Sequence, residues 1–339
     1  MRPFSLERVS STSGAVQAGT RGGGDSSLHS PVHFLAGGTT LIDLMKLDVM
    51  RPEHVVDINA LAGTEAGRIE AGDGGLRLGA LVRMADAAEH AEINRNFPMI
   101  AQSLKLAASQ QVRNMASLGG NVLQRTRCPY FRDVSYEQCN KRNPGSGCAA
   151  LDGFNRSHAI LGTSDQCIAS YPGDFAQALI AMDATVDIAG ARGTRNMPFA
   201  SLHRRPGDAP DIESTLRPGE ILTSFFVPAA GWKRRSLFLK VRDRESYEFA
   251  LASAAVALDL NNGRVRDARI ALGGVATVPW RATPAEAALK GKILDDASKR
   301  AAADAAFAEA QTYEHNAFKV ELGKQTLMRA LEQAAAMEI

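Results

Sequence analysis

The 339-residue chain carries a formal charge of +2, with 45% hydrophobic and 22% charged residues. That balance suits a globular protein of two or three domains and excludes an electrostatic case for nucleic acid, since the basic residues form no stripe. No stretch is apolar for long enough to insert in a membrane, and the opening SSTSGAVQAGTRGGGDSSLHS, small and glycine-rich, reads as a loop rather than a signal peptide. By its own sequence the chain is expected in the cytoplasm; a periplasmic location requires export in folded form with a partner that carries the signal.

Taken in order, VHFLAGGTTLIDLMKL (Val32 to Leu47) predicts a strand, a glycine turn and a helix, with Leu41, Leu44, Met45 and Leu47 at roughly helical spacing. EHVVDINAL predicts a buried strand, and GRIEAGDGGLRLGAL two strands joined at Gly72 to Gly75. FPMIAQSLKLAAS is helical, with Pro98 suited to a first turn, and QVRNMASLGGNVL adds a second glycine-bearing segment. A polar stretch at 125–168, without periodicity, interrupts this order. Beyond it come a helix near Asp174, a strand from Thr185 and a strand in GEILTSFFVP (Gly219 to Pro228). Asn262-Gly263 marks the turn of a hairpin, and the Ala-rich sequence from Ala282 is mostly helical. Strands and helices do not alternate regularly, which predicts an α+β fold: residues 1–228 as one domain with an insert at 125–168, and 229–339 as a second.

Two features carry chemistry. In LAGGTTL, Gly37 and Gly38 let backbone amides approach an anion, Thr39 and Thr40 add hydroxyls, and the following helix points its positive end at the same place. In ASLGGNVL, Ser117, Gly119, Gly120 and Asn121 offer further donors. Each pair alone is also what a tight turn requires; both together, each beside hydroxyl or amide donors, suit a pyrophosphate.

The second feature is Cys128, Cys139, Cys148 and Cys167, all the cysteines of the chain, spaced Cys-x10-Cys-x8-Cys-x18-Cys. Two disulfides, a zinc site and an iron–sulfur cluster all remain open on spacing, as do four unrelated thiols. Polar surroundings with Arg125, Arg127, Arg132, Lys141 and Arg142 nearby favour thiolates and hence a metal centre. His158 is a candidate ligand whose ordinary reading is a loop residue. No nucleophile or acid–base pair stands out.

The motifs FLAGGTTLIDLMK, QVRNMASLGGNVLQRTRCPYFRD, CAALDGFNRSHAILGTSDQCIASYPGDFAQAL, LRPGEIL and ALGGVATVPWRATPAEAAL resemble the FAD-binding medium subunit of molybdenum hydroxylases, the xanthine dehydrogenase and aldehyde oxidoreductase family. The resemblance implies a two-subdomain, PCMH-like FAD-binding domain followed by an α+β domain with an antiparallel sheet and helices. It implies that Leu35, Ala36, Gly37, Gly38, Thr39, Thr40, Leu41 and Ile42 wrap the FAD pyrophosphate, and that Ala107, Ala108, Ser117, Gly119, Gly120 and Asn121 complete the pocket. Asp174, Leu222 and Lys240 match positions near the cofactor; read alone they are a helix cap, a core residue and a surface residue. Members that carry a cysteine insert resemble the flavoprotein subunits of periplasmic aldehyde oxidoreductase and, more distantly, 4-hydroxybenzoyl-CoA reductase. In these the four cysteines hold a [4Fe–4S] cluster, so Cys128, Cys139, Cys148 and Cys167 are implied as its ligands and the insert's arginines are expected to raise its potential. The partners implied are a molybdenum-cofactor large subunit, a [2Fe–2S] small subunit and an external electron acceptor, in a heterotrimer. The chain departs from the pattern in its glycine- and serine-rich start, where relatives have a helix, and at Glu248 and Phe249.

Overall fold

The computed structural model describes residues 1–23 and 28–338. The first subdomain is a small parallel sheet in the order β1-β3-β2 (Ser5–Arg8, His54–Asp57 and Val32–Leu35) with α1 (Thr12–Thr20) and α2 (Leu41–Lys46). The opening segment, expected to be a loop, holds α1 instead; residues 24–27 of it lie outside the described residues. Ser11 starts the helix by accepting from the Gly14 amide. Glycine, unfavourable within a helix, serves packing here: a Cβ on Gly19 would stand 2.5 Å from the Phe34 ring and 2.8 Å from Gly219 Cα.

The second subdomain is an antiparallel sheet in the order β4-β5-β8-β6-β7 (Ile69–Gly72, Gly75–Gly79, Ile221–Pro228, Thr185–Gly190 and Gly193–Pro198). Its helices include α3 (Met84–Glu89), α4 (Ala91–Asn96), α5 (Pro98–Lys105), α6 (Gln110–Met115), α7 (Leu118–Val122) and α9 (Phe175–Ala181), while α8 (Pro129–Arg132) belongs to the cysteine-bearing stretch. Every residue of α9 is buried, because it lies between this layer and the last sheet, in the order β12-β11-β10-β9 (Trp280–Arg281, Arg264–Gly273, Ala252–Asn261 and Ser236–Val241). The main core runs from Leu76 and Phe225 through Phe175 to Phe238 and Ala255, so the layers on either side of residues 229–235 share one apolar interior. Asn262 and Gly263 both have positive φ (50° and 73°), the twist-matched turn expected for the β10–β11 hairpin. α10 (Thr283–Leu289), α11 (Asp296–Ala306) and α12 (Phe318–Ala335) complete the C-terminal layer. Among the described residues no helix is long and apolar enough to cross a membrane.

The cysteine-bearing stretch is turns with one short helix, α8, yet it is firmly docked on both sides. Cys128, Phe131, Cys139 and Cys167 share an apolar cluster with Leu41, Leu44 and Met45 of α2. On the other side Lys319, wholly buried on α12, donates to the carbonyls of Ser157, His158 and Gly274 at 2.7–3.0 Å. Asn316 and the Gln311 amide bind the carbonyls of Ala159 and Ile160. A Lys319→Met chain leaves three buried carbonyls without their donor, at about 1–3 kcal/mol each before relaxation. It is expected to lose about 3 kcal/mol in denaturant unfolding and to become cleavable by protease near residues 152–158.

Candidate functional site

A cavity of about 310 Å³ opens between the two subdomains. Ala36, Gly37, Gly38, Thr39, Thr40 and Leu41 form one wall. Among the described residues the amides of Gly37, Gly38, Thr39 and Thr40 donate to no carbonyl, so a row of N–H groups and two hydroxyls remains available to an anion. The loop is that tight because Gly38 has φ +75° and because Gly37 lies against the second glycine segment: a Cβ on Gly37 would stand 1.9 Å from the Met115 carbonyl oxygen.

Ser117, Gly119, Gly120 and Leu222 also line the cavity. The donors expected of the second glycine pair are engaged within the protein. Gly119 donates to the Ala80 carbonyl (2.7 Å), Gly120 to the Ser117 hydroxyl (3.1 Å) and Asn121 to the Ser117 carbonyl (2.8 Å). This pair provides close approach and wall, while the first provides free amides. Asn121 does not reach the cavity; its amide nitrogen meets Met84 Sδ and its buried oxygen has no partner. Leu35 and Ile42 flank the loop without lining the space.

Four of the expected residues gather elsewhere, where α5, α9 and β9 meet. Lys240 Nζ pairs with Asp174 at 2.7 Å, both side chains under 5% exposed, and also donates to the Leu106 carbonyl. Ala107 and Ala108, the latter with φ 51°, follow directly and receive Arg113 on their carbonyls. Two single-residue readings are corrected here. Asp174 occupies the position before α9 but makes no side-chain cap, because its carboxylate is taken by Lys240. Lys240 is buried rather than on the surface. Burial pushes the Asp174 carboxyl up, and Lys240 draws it back only in part.

A half-buried carboxylate on the cavity wall, held by two buried cations, escaped the sequence reading. Glu213 accepts from Arg125 and from Lys141 (2.8 Å), and Lys141 also donates to the Pro210 carbonyl (2.9 Å). Burial alone would raise the Glu213 carboxyl above its ordinary 4.5, but Lys141 and Arg125 outweigh it and hold the group lower. Its ionised form therefore stabilises the fold above that ordinary value, and the contribution disappears as pH falls through the depressed one. Glu213→Gln should cost about 3 kcal/mol near neutral pH. Its unfolding temperature should converge on that of the wild-type chain below pH 4.5.

Cys128, Cys139, Cys148 and Cys167 line one small second cavity of about 10 Å³, roughly one water's room, and all four are free thiols. The Cys148 and Cys167 thiols interact with one another, which lowers that of Cys148 and raises that of Cys167. Among the described residues no three His, Cys, Asp or Glu side chains converge on a single-ion position. The donor set is four cysteines bordering one shared space, the ligand number of a [4Fe–4S] cluster and equally of a four-cysteine zinc site. Lys141, Cys167 and Ala169 line both cavities.

The expected lowering by positive neighbours is present, from Arg142 on Cys139 and from Lys141 on Cys167, but it is outweighed. Burial pushes the Cys128 thiol up to about 12, and Cys139 and Cys167 are raised as well. Arg132 is neutralised by a two-pronged pair with Asp43 (2.8 and 3.1 Å), and Arg142 is committed to the carbonyls of Tyr130, Phe131 and Tyr136. Arg142 therefore braces the loop, and Arg132 adds little net field at the sulfurs. His158 does not line the thiol cavity; its Nε2 lies 3.2 Å from Cys128 Sγ.

Comparison with known proteins was consistent with this geometry. The family of the FAD binding domain in molybdopterin dehydrogenase matches residues 2–230, and that of the CO dehydrogenase flavoprotein C-terminal domain matches residues 238–334. The aldehyde oxidoreductase FAD-binding subunit PaoB of Escherichia coli (strain K12) is 42% identical over 339 residues, covering 99% of each chain. The glyceraldehyde dehydrogenase medium chain of Sulfolobus acidocaldarius is 27% identical, covering 77% of this chain and 74% of its own. Among solved structures, carbon monoxide dehydrogenase from Hydrogenophaga pseudoflava superposes with a TM-score of 0.76 at 26% identity, covering 99% of this chain and 98% of that one.

Proposed function

The chain belongs to the FAD-binding flavoprotein family of molybdopterin dehydrogenases, an oxidoreductase subunit of the aldehyde oxidoreductase and xanthine dehydrogenase type, and from that premise we propose that it is the FAD- and [4Fe–4S]-carrying electron-transfer subunit of a molybdenum-containing aldehyde oxidoreductase. In this role a molybdenum-bearing large subunit oxidises the aldehyde, a [2Fe–2S] small subunit delivers the electrons, and this chain passes them to an external acceptor. Flavin supplies the exchange between one- and two-electron carriers. The amides of Gly37 to Thr40 would hold its pyrophosphate, and the four thiolates would hold the cluster.

The observation that carries the reading is the shared wall: Cys167, Lys141 and Ala169 face both the flavin cavity and the four-thiol space. A zinc- or disulfide-stapled module has no use for that adjacency. The aldehyde assignment is supported by the 42% identity to the Escherichia coli aldehyde oxidoreductase subunit, against 26% for the xanthine dehydrogenase FAD-binding subunit of Escherichia coli O157:H7.

The test is purification with partners attached, an absorption spectrum, and quantification of iron, zinc, molybdenum and flavin, followed by a panel of aldehydes. The expected result is one FAD per copy of this chain, iron about four atoms beyond that of the small subunit, and turnover that requires the molybdenum partner. A colourless, iron-free preparation from the native host, or aldehyde turnover by the isolated chain, would overturn it.

A further inference from the structure

Behind the thiol cavity lies a group that the site as described does not use. His158 is 1% exposed, and its Nε2 stands 3.2 Å from Cys128 Sγ, while its buried Nδ1 has no hydrogen-bond partner. The ring sits on a fixed support. The His158 amide donates to the Asn155 carbonyl (3.0 Å), its own carbonyl receives Lys319 Nζ (3.0 Å), and the next amide, Ala159, donates to the Ile168 carbonyl (3.0 Å).

We infer that His158 is a positioning residue that donates its Nε2–H to the sulfur of Cys128 and so raises the reduction potential of the cluster, without being a ligand. The inference rests on the reading that the four cysteines hold a [4Fe–4S] cluster. A neutral imidazole has one N–H, on either nitrogen. On Nδ1 that hydrogen would be buried without an acceptor, and the bare Nε2 lone pair would face a sulfur that carries negative charge once it is a ligand. On Nε2 the hydrogen meets that sulfur, and only an acceptor lone pair is left unsatisfied. A thiolate, which has no hydrogen to give, selects the second arrangement.

Ligation by the imidazole does not fit the same geometry. Nε2 points at a sulfur, and His158 is absent from the walls of the thiol cavity. Backbone amides of Phe131, Arg142, Ala150 and Ala169 also face the four sulfurs, but these belong to the chain itself. His158 is a donor that a substitution removes. Reduction adds one electron, supplied by the reductant, and moves no proton or atom. The added negative charge is shared with the sulfurs, so an N–H···S bond strengthens on reduction and favours the reduced form.

The experiment uses the complex as purified, with iron and flavin quantified first. In redox-titrated EPR, His158→Leu is expected to shift the one-electron equilibrium about tenfold toward the oxidised cluster, a fall of ~59 mV. His158→Gln, which keeps an N–H, should recover more than half of that shift. In wild-type protein labelled with 15N-histidine, pulsed EPR of the reduced cluster should show a weak nitrogen coupling that is missing in His158→Leu. An unchanged midpoint in an iron-replete His158→Leu complex overturns the inference and leaves the cluster reading intact. A strong coupling, as from a bound nitrogen, or no coupling at all, also overturns it. If His158→Leu fails to hold iron, the wild-type coupling decides alone. Wild-type protein with flavin but no iron overturns the cluster reading and this inference with it.

Discussion

A Gly37→Ala chain is expected to purify folded but nearly free of flavin. The added methyl would stand 1.9 Å from the Met115 carbonyl oxygen and 2.6 Å from its carbon, which are backbone atoms that no rotamer change can move aside. The loop after β2 must therefore withdraw from the start of the second glycine segment, and the row of free amides turns away from its anion. Overpacking of this kind costs about 1–3 kcal/mol in a protein interior. At the upper end, taken wholly from cofactor binding, FAD affinity falls about 100-fold. Gly38→Ala is the control. Its φ of +75° strains an L-residue by about 1 kcal/mol, and its nearest obstacle is the flexible end of Ile42. Flavin titration by fluorescence quenching should rank wild type above Gly38→Ala and both above Gly37→Ala. Equal affinities for the two variants would mean that the amide row does not hold the cofactor.

The second large effect concerns iron. Cys148 is the one cysteine of the four that is not buried, and it lies outside the apolar cluster around α2. On the proposed cluster reading, Cys148→Ser should leave the fold in place while iron bound by this chain falls from about four atoms to less than one, since a cube with one weak oxygen ligand is readily lost, and flavin affinity should fall only as far as α2 couples the two sites. Cys128→Ser removes the same ligand count but also places a hydroxyl in the cluster with Leu44 and Phe131. It should cost about 1–3 kcal/mol of stability in addition. Iron assay, flavin absorbance and thermal unfolding on the two variants separate loss of ligation from loss of packing. Full iron in Cys148→Ser would remove that residue from the ligand set.

What could be read from the sequence was local. The strand, glycine turn and helix of Val32 to Leu47 depend on neighbouring residues, and so does the Asn262-Gly263 hairpin. α1 was missed because its glycines lower helix propensity; Ser11 capping and the fit of Gly19 against Phe34 compensate, and only the folded chain shows the second of these. Lys240 looks like a surface residue until β9 brings it to Asp174, 66 positions earlier. The insert's arginines looked like a positive field at the cysteines, but Asp43, 89 positions from Arg132, cancels one of them, and burial outweighs the rest. The glycine pairs look alike in sequence. They differ because Ala80 and Ser117 occupy the amides of the second and no carbonyl occupies those of the first. Pairing partners distant in the chain, and the dielectric that they create, are invisible to spacing.

One helix, α2, begins at the flavin loop and packs its apolar face on Cys128, Cys139 and Cys167. On the proposed reading, loading either cofactor would bias the other's seat through α2, and by thermodynamic reciprocity the two affinities would change by the same factor. Maturation of such a chain would be cooperative, and a cell starved of iron should accumulate subunits that hold their flavin less tightly.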